Sequence, residues 1–224
     1  MSNDDVIYQK LLNAIVEHQL PPGARLPEDK LSDAFGVSRT GIRKVLQRLA
    51  LERFVTIEKN KGAQVSHPTT KEANEVLDSR ILLEPLLVPE IVKHWDLRQS
   101  EHFRNIVDQE NLAIAENRLA DSIQLTARFH YELAKVSDNT ILSEFIEQLC
   151  YRSSLVIAAY GSKVSVSCDC GDHGDFISIL DSGDIVKAQS WMRHHLEHIK
   201  SSLSLETTTE EQIDFARLFA RDSE

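Results

Sequence analysis

The start of the chain carries apolar residues at helical spacing. Positions i, i+3, i+4 and i+7 of one face are Tyr8, Leu11, Leu12 and Ile15. This spacing predicts an amphipathic helix, because side chains three and four residues apart lie on the same face. The predicted helix ends before the sequence LPPGARLP, which is rich in turn-forming proline and glycine.

Two further helices and a hairpin are predicted before residue 68. A short helix is expected from about Glu28 to Phe35, where Gly36 breaks it. Ser38 can cap a third helix, whose inward stripe consists of Ile42, Val45, Leu46 and Leu49. The sequence FVTIEKNKGAQV then alternates apolar and polar residues on both sides of KNKG, which predicts a two-stranded hairpin. Together these elements predict a winged helix-turn-helix.

Helical periodicity dominates the rest of the chain. The segments TARFHYELAKVSDN, DHGDFISILDSGD and DIVKAQSWMRHHLEHI each turn one histidine toward an apolar face, namely His130, His173 and His195. We therefore predict a mainly α fold. An N-terminal winged helix-turn-helix, with three helices and a β-hairpin wing, occupies residues 1–68 and is joined to an all-helical C-terminal bundle over residues 69–224.

Length and composition are consistent with two domains in a cytoplasmic protein. A chain of 224 residues with 42% hydrophobic content can form a sizeable core in each. No apolar run approaches the roughly 18 residues of a membrane span, and the N-terminus MSNDDVIYQK is acidic where a secretory signal is basic and then apolar. From the same observations we expect no membrane partner. Three cysteines are an odd number, so a disulfide framework is not expected and the thiols should be reduced.

Charge is divided unequally between the two predicted domains. The formal net charge is -10, but residues 1–68 carry a net +2 and the remainder a net -12. Residues 36–49, GVSRTGIRKVLQRL, contain four cations and no acid. A solvated helix face is the usual explanation for such a cluster, but a basic helix followed by a basic hairpin favours neutralisation of DNA phosphates. The exposed set is Arg39, Thr40, Arg43 and Lys44, with Arg48 further along, nearer the DNA backbone.

The N-terminal sequence resembles a known family. LPPGARLPEDKLSDAFGVSRTGIRKVLQRL followed by NKGAQV is similar to the DNA-binding domain of the GntR family of bacterial transcription regulators, over about residues 6–66. The resemblance implies a homodimer that binds an inverted repeat in double-stranded DNA. The implied contacts are Arg39 and Arg43 to bases and phosphates, Thr40 and Lys44 in support, and Lys61 and Gly62 in the minor groove. Many relatives carry proline where this chain has Gly41, so a different target sequence is expected.

The second segment resembles the FCD domain of the FadR-type subgroup. Arg80 and Glu84 match its R-x-x-x-E-P pattern, and the FH pair followed by Asn139 matches a later helix. The resemblance implies that a divalent metal, commonly zinc or nickel, is held by His130, His173 and His195 with an aspartate one turn before the first histidine. Thr126 stands at the aspartate's position, and a neutral hydroxyl is a poor ligand. Both a metal site and a polar core network without metal therefore stay open.

The resemblance also implies an effector pocket in the helical domain. A small carboxylate is the expected effector, because a planar guanidinium suits bidentate recognition of that group. The candidate residues are Arg80, Arg152 and Thr126. The alternatives are an i, i+4 ion pair between Arg80 and Glu84 and a surface ion pair at Arg152.

Two other sequence patterns could indicate metal sites. HHLEH at residues 194–198 fits the H-x-x-E-H pattern of a zinc-dependent hydrolase, with His194 and His198 as ligands and Glu197 as base. Five residues are a weak pattern, and helical spacing places Glu197 on the solvent side. Cys168 and Cys170, with the nearby His173, are a second possible set, although two thiols in a loop rich in glycine and aspartate usually have no metal.

The function predicted from the sequence is that of a ligand-responsive transcription regulator of metabolic genes, and not of an enzyme. DNA binding belongs to the N-terminal domain, while effector binding and dimerisation belong to the C-terminal domain. The resemblance favours a repressor released by its effector, although activation also occurs in the family. The sequence determines neither the operator, the effector nor the regulated genes.

Overall fold

A computed structural model describes residues 3–16, 19–59, 61–161 and 173–203. The chain divides between Pro68 and Thr69 into two compact units. The described residues contain nine helices and one two-stranded sheet, so the predicted mainly α fold is confirmed.

The N-terminal unit has the predicted order of elements. Helices α1 (Asn3–Val16), α2 (Glu28–Phe35) and α3 (Arg39–Leu51) precede strands β1 (Val55–Glu58) and β2 (Gly62–Val65). Gly36 ends α2 in the left-handed region, with φ of 65°, where a side chain would be strained. Ser38 caps α3 as expected, because its Oγ accepts from the backbone N–H of Gly41 at 3.2 Å.

The core of this unit lies between α1 and α3. The predicted stripes of both helices are buried: Tyr8, Leu11, Leu12 and Ile15 from α1, and Ile42, Val45, Leu46 and Leu49 from α3. The antiparallel pair β1 and β2 aligns Val55 with Val65 and Glu58 with Gly62. The turn segment adds a short third edge, because the N–H of Leu26 donates to the carbonyl of Ala63 at 2.8 Å. The wing is therefore fixed to the helix-turn-helix by backbone hydrogen bonds.

The C-terminal unit is helical throughout its described residues. Its elements are α4 (Thr70–Lys93), α5 (Leu97–Ala115), α6 (Leu119–Val136), α7 (Thr140–Tyr160), α8 (His173–Ser182) and α9 (Ile185–Ser201). Helix α4 packs against α6, α7 and α9, while α5 packs against α6 and α8. The side chains of Thr69, Asp96, Asn139 and Asp184 cap four of these helices by accepting backbone N–H bonds.

Helix α4 contains two prolines near the centre of the bundle. Pro89 has no N–H, so the carbonyl of Pro85 one turn earlier loses its helical partner. The side chain of Gln189 on α9 donates to this carbonyl at 3.0 Å instead. The carbonyl of Pro85 therefore has a hydrogen-bond partner where α4 packs on α9.

An apolar core surrounds this region of the bundle. It includes Leu77, Val88, Phe103, Phe129, Ile146, Phe176, Met192 and Leu196. Among the helices that the structure describes, none has both the length and the apolar character needed to cross a membrane.

Candidate functional site

The outer face of α3 is exposed and basic. Arg39, Thr40, Arg43 and Lys44 are exposed, while the apolar stripe on the opposite face is buried. The geometry therefore gives this helix one face in the core and one exposed, basic face. Lys44 has no ion-pair partner among the described residues of the chain.

Two of the arginines on this face pair with acids at the start of α2. Arg43 Nε donates to Glu28 Oε1 at 2.9 Å, and Arg43 Nη2 donates to Glu28 Oε2 at 2.7 Å. The hydrogen bonds from Arg43 lower the pKa of the Glu28 carboxyl despite its slight burial. Arg39 lies 4.0 Å from Asp29, which is the outer limit of an ion pair. The side chain of Arg43 is thus held in one orientation more firmly than the side chain of Arg39.

Arg48 has partners within the N-terminal unit. Its guanidinium carbon lies 3.6 Å from the ring centre of Tyr8, and it pairs with Asp5 at 3.1 Å and Glu52 at 3.5 Å. The Tyr8 hydroxyl donates to Glu52 as well. Arg48 therefore links α1 to the end of α3, a role that helical spacing alone does not reveal.

The tip of the wing carries the remaining residues of the predicted DNA surface. Lys61 and Gly62 are both exposed, and Lys61 pairs with Glu58 at 2.7 Å. Gly62 has φ of 85°, a conformation that side chains rarely adopt. The turn between the strands therefore requires glycine at this position.

The C-terminal unit brings the three predicted histidines together. His130 on α6, His173 at the start of α8 and His195 on α9 are buried, and one ligand atom from each lies within 4.8 Å of the other two. Aromatic rings hold their orientation: Phe129 stacks on His173 with ring centres 4.3 Å apart, and Trp191 stacks on His195 at 4.7 Å. We call these three residues the histidine centre.

A buried carboxylate fixes the orientation of His130. Its Nδ1 lies 2.6 Å from Glu84 Oε2, and the other oxygen of Glu84 accepts from Arg80 Nε at 2.5 Å. Burial raises the pKa of the Glu84 carboxyl, but the charge of Arg80 and the hydrogen bonds outweigh burial and lower this pKa to about 2. Burial lowers the pKa of His130 to about 4. At neutral pH a neutral imidazole therefore donates from Nδ1 to an ionised carboxylate.

A second carboxylate fixes His173. Glu110 on α5 lies 2.7 Å from His173 Nδ1 through Oε2, and its Oε1 accepts from the hydroxyl of Thr126. Burial raises the pKa of Glu110, but His173 and Thr126 lower it by more. Glu110 is not among the residues predicted from the sequence. Its burial could have been inferred from the sequence, because Glu110 lies at helical spacing with Phe103, Val107 and Ala113, which are buried in α5.

The donor set of the histidine centre fits a divalent metal such as zinc or nickel. The Nε2 atoms of His130 and His173 are buried and have no hydrogen-bond partner among the described residues. A carboxylate lies at Nδ1 of each ring, which favours the tautomer that can bind a metal through Nε2, as in carboxylate–histidine–metal sites. Burial, followed by the neighbouring cations and histidines, lowers the pKa of His195 well below its usual value, so it too is neutral.

Arg80 lies beside the histidine centre through its bond to Glu84. It is fully buried, its Nη1 donates to Ser153 Oγ at 2.8 Å, and its Nη2 has no hydrogen-bond partner among the described residues. Arg80 forms the i, i+4 pair with Glu84, and its role in effector binding stays a prediction. Arg152 instead pairs with Glu72 at 2.8 Å and is half-exposed.

The residues of the hydrolase alternative do not converge. His194 and Glu197 are exposed whereas His195 is buried, and neither of the two belongs to the histidine centre. Within the described ranges, no third ligand joins the histidines of this segment and Glu197 is not buried, so the arrangement expected of a zinc-dependent hydrolase is not seen there. Cys168 and Cys170 lie outside the described residues.

Taken together, a winged helix-turn-helix followed by a helical bundle with a buried histidine centre defines a class of two-domain regulatory protein. Residues 3–65 match the family model of bacterial regulatory proteins, gntR family, and residues 75–198 match the FCD domain. The chain therefore belongs to the GntR family, in the group that carries an FCD domain.

Three individual proteins similar to this chain share 34% sequence identity with it or less. The fatty acid metabolism regulator protein of Shewanella halifaxensis is 34% identical over 133 residues, which cover 55% of this chain and 56% of that protein, so the chain spans little more than half of this relative's length. The HTH-type transcriptional repressor RspR of Escherichia coli is 25% identical over 88% of this chain and 87% of that protein. A GntR transcriptional regulator structure from Rhodococcus sp. RHA1 shares the fold, with a TM-score of 0.65 and 22% identity over 90% of this chain and 97% of that one.

Proposed function

We propose that this protein is a ligand-responsive transcription regulator that binds operator DNA through α3 and the wing. The observation that carries the proposal is the division of α3 into a buried apolar stripe and an exposed face with Arg39, Arg43 and Lys44. A helix of this kind fits the major groove, where guanidinium groups bind guanine edges and phosphates. Lys61 and Gly62 at the wing tip are proposed to enter the minor groove.

The binding form is proposed to be a homodimer on an inverted repeat, acting in the cytoplasm. Two copies related by a two-fold axis place two recognition helices on half-sites separated by whole turns of DNA. The name of the relative RspR favours repression, and we extend that role to this chain as part of the proposal. The acidic part of the chain from residue 69 onward, with its net charge of -12, limits non-specific adhesion to DNA.

The effector is proposed to be a small carboxylate bound beside the histidine centre. Arg80 Nη2 is a buried donor without a partner among the described residues, and a carboxylate would satisfy it. His130, His173 and His195 would hold zinc or nickel, and the bound cation would supply positive charge for an anionic ligand. Thr126 stays a candidate for the pocket, although its hydroxyl hydrogen is already donated to Glu110.

Two measurements on the purified full chain test the proposal. Fluorescence anisotropy with the promoter next to its own gene should show dimeric binding that weakens steeply as salt is raised, because several phosphates are neutralised. A thermal-shift screen of metabolic acids, with and without chelator, should then identify a carboxylate that raises the melting temperature and changes DNA affinity. Binding that does not depend on salt would contradict the placement of the DNA surface.

A further inference from the structure

The environment of Glu110 differs from that of the other buried carboxylate. Glu84 accepts from the guanidinium of Arg80, so a full positive charge balances it inside the bundle. Among the described residues, the ion-pair partner of Glu110 is His173 alone. The carboxylate is 6% exposed, so water compensates little of its charge. No arginine or lysine pairs with this buried carboxylate among the described residues, so a cation bound nearby would stabilise it further.

The position of that cation follows from the ring of His173. Nδ1 faces Glu110 at 2.7 Å, while Nε2 is buried and has no hydrogen-bond partner among the described residues. An ionised carboxylate only accepts hydrogen bonds, so Nδ1 carries a hydrogen, and the tautomer that can bind a metal then carries its lone pair on Nε2. A metal ion bound at Nε2 would balance Glu110 through the ring, because the carboxylate makes the imidazole a stronger ligand.

Thr126 completes this arrangement from α6. Its hydroxyl donates to Glu110 Oε1, the oxygen that His173 leaves free. Thr126 and His130 are one helical turn apart, so the hydroxyl lies on the side of α6 that carries the first histidine. The threonine therefore orients a carboxylate that comes from another helix, and it adds no charge itself.

We propose that Glu110, held by Thr126, is the positioning residue that supplies the negative charge of this metal site. It does so through His173 and not as a direct ligand, since the convergent ligand atoms found among the described residues are those of the three histidines. The inference rests on the proposed metal site. Thr126 then orients the Glu110 carboxylate through its hydrogen bond. Metal affinity depends on Glu110 of α5, although Glu110 contributes no ligand atom.

The experiment measures metal binding by the untagged full chain. Protein stripped with chelator is titrated with Ni²⁺ and, separately, Zn²⁺ against a chelating indicator, which gives stoichiometry and Kd. Glu110→Gln keeps the shape but removes the charge, and we expect its Kd to rise about 10-fold to 100-fold. Thr126→Val should raise the Kd less, because the carboxylate is retained. Glu132→Gln is the matched control, since Glu132 contacts His102 at 2.5 Å outside the histidine centre, and its Kd should equal that of the wild type.

Thermal melting separates this role from a purely structural one. If Glu110 serves the metal, the rise in melting temperature caused by metal should be smaller for Glu110→Gln than for the wild type. If Glu110 only stabilises the fold, the metal-free variant should melt lower and the rise should be unchanged. The double variant Glu110→Gln with Thr126→Asp, which moves the carboxylate across the α5–α6 contact, should recover most of the affinity.

The outcomes distinguish this inference from the proposed function. A wild-type protein that binds no metal near one equivalent contradicts the proposed metal site and this inference with it. A wild-type protein that binds metal, with Glu110→Gln binding within twofold of it, overturns the inference alone. In that case the charge of the site does not come from Glu110, and the proposed regulator with its three histidine ligands stands.

Discussion

Arg43 and Glu28 form a two-point ion pair between α3 and α2. Arg43 Nε and Nη2 donate to the two oxygens of Glu28 at 2.9 and 2.7 Å. A guanidinium has five N–H donors, so Nη1 and the second hydrogen of Nη2 stay available to DNA. Glu28 thus limits the rotamers of an exposed side chain, which reduces the entropy cost of the DNA contact proposed for Arg43.

The first prediction concerns the recognition helix. Arg43→Ala should lower operator affinity by roughly 5-fold to 150-fold if its guanidinium contacts a guanine edge. Lys10→Ala removes an exposed cation from α1 of the same unit and should have little effect. Anisotropy titrations of both variants at one salt concentration provide the comparison. Equal affinities for the two variants would show that Arg43 does not contact DNA.

The second prediction separates Lys44 from Arg48. Lys44→Ala should reduce the slope of log K against log salt by about 1, because a phosphate contact releases about one counterion. Arg48 is already stacked on Tyr8 and paired with two acids, so Arg48→Ala should lower the melting temperature of the N-terminal unit and leave the slope unchanged. A reduced slope for Arg48→Ala would return it to the DNA surface predicted from the sequence.

The third prediction concerns effector recognition. Arg80→Ala should destabilise the C-terminal unit by about 3 to 5 kcal/mol, because Glu84 would lose its buried partner. Arg80→Lys keeps the charge but loses the planar donors, so the effector's Kd should rise roughly tenfold while the protein stays folded. Arg152→Lys, at the exposed pair with Glu72, is the control and should respond to effector like the wild type. An unchanged response in Arg80→Lys would place the effector elsewhere.

The fourth prediction concerns the metal ligands. Zinc or nickel at 100 times its Kd should stabilise the native state by about 2.7 kcal/mol, and chelator should reverse the gain. His195→Gln should abolish most of this gain, whereas His194→Gln, the neighbouring exposed histidine, should retain it. Thermal melts with and without chelator measure both. The opposite result would support the HHLEH interpretation of α9.

The fifth prediction concerns pH. Asp181 accepts from Trp95 Nε1 at 2.9 Å, Ser100 Oγ at 3.1 Å and Arg104 Nη2 at 2.7 Å, which joins α8 to α5 and the end of α4. Slight burial raises the pKa of Asp181, but these donors lower it by more. The resulting stability is present above the usual aspartate pKa of about 3.9 and is lost as pH falls through the lower folded value.

Asp181→Asn should therefore cost about 1 kcal/mol at pH 7, a modest figure because the group is partly exposed. The difference from the wild type should decrease below about pH 4, because the unfolded carboxyl then takes up a proton, and it should vanish once pH falls below the lower pKa of the native carboxyl. Denaturant unfolding across pH 3 to 7 measures the change. A constant difference over this range would show that the charge of Asp181 does not contribute.

The sequence by itself determined the elements and their order, because the signals for them are local. Helical spacing of Ile42, Val45 and Leu49 fixes the buried face of α3, and Ser38 and Gly36 mark ends that depend only on neighbouring backbone groups. The three histidines were also recoverable, since each lies on the apolar face of its own helix and matches a family pattern.

Only the tertiary structure decided which polar groups face one another. His173 and Glu110 are 63 residues apart, and Arg48 meets Asp5 across 43 residues, so no period in the sequence connects them. Their pairing depends on the rotation and depth at which helices pack, which is set by the whole apolar core. The sequence indicates that Glu110 is an acid on a buried helix face. It does not indicate that His173 is the partner, because that contact forms only when the helices pack, and the energy of a buried charge depends on the groups beside it.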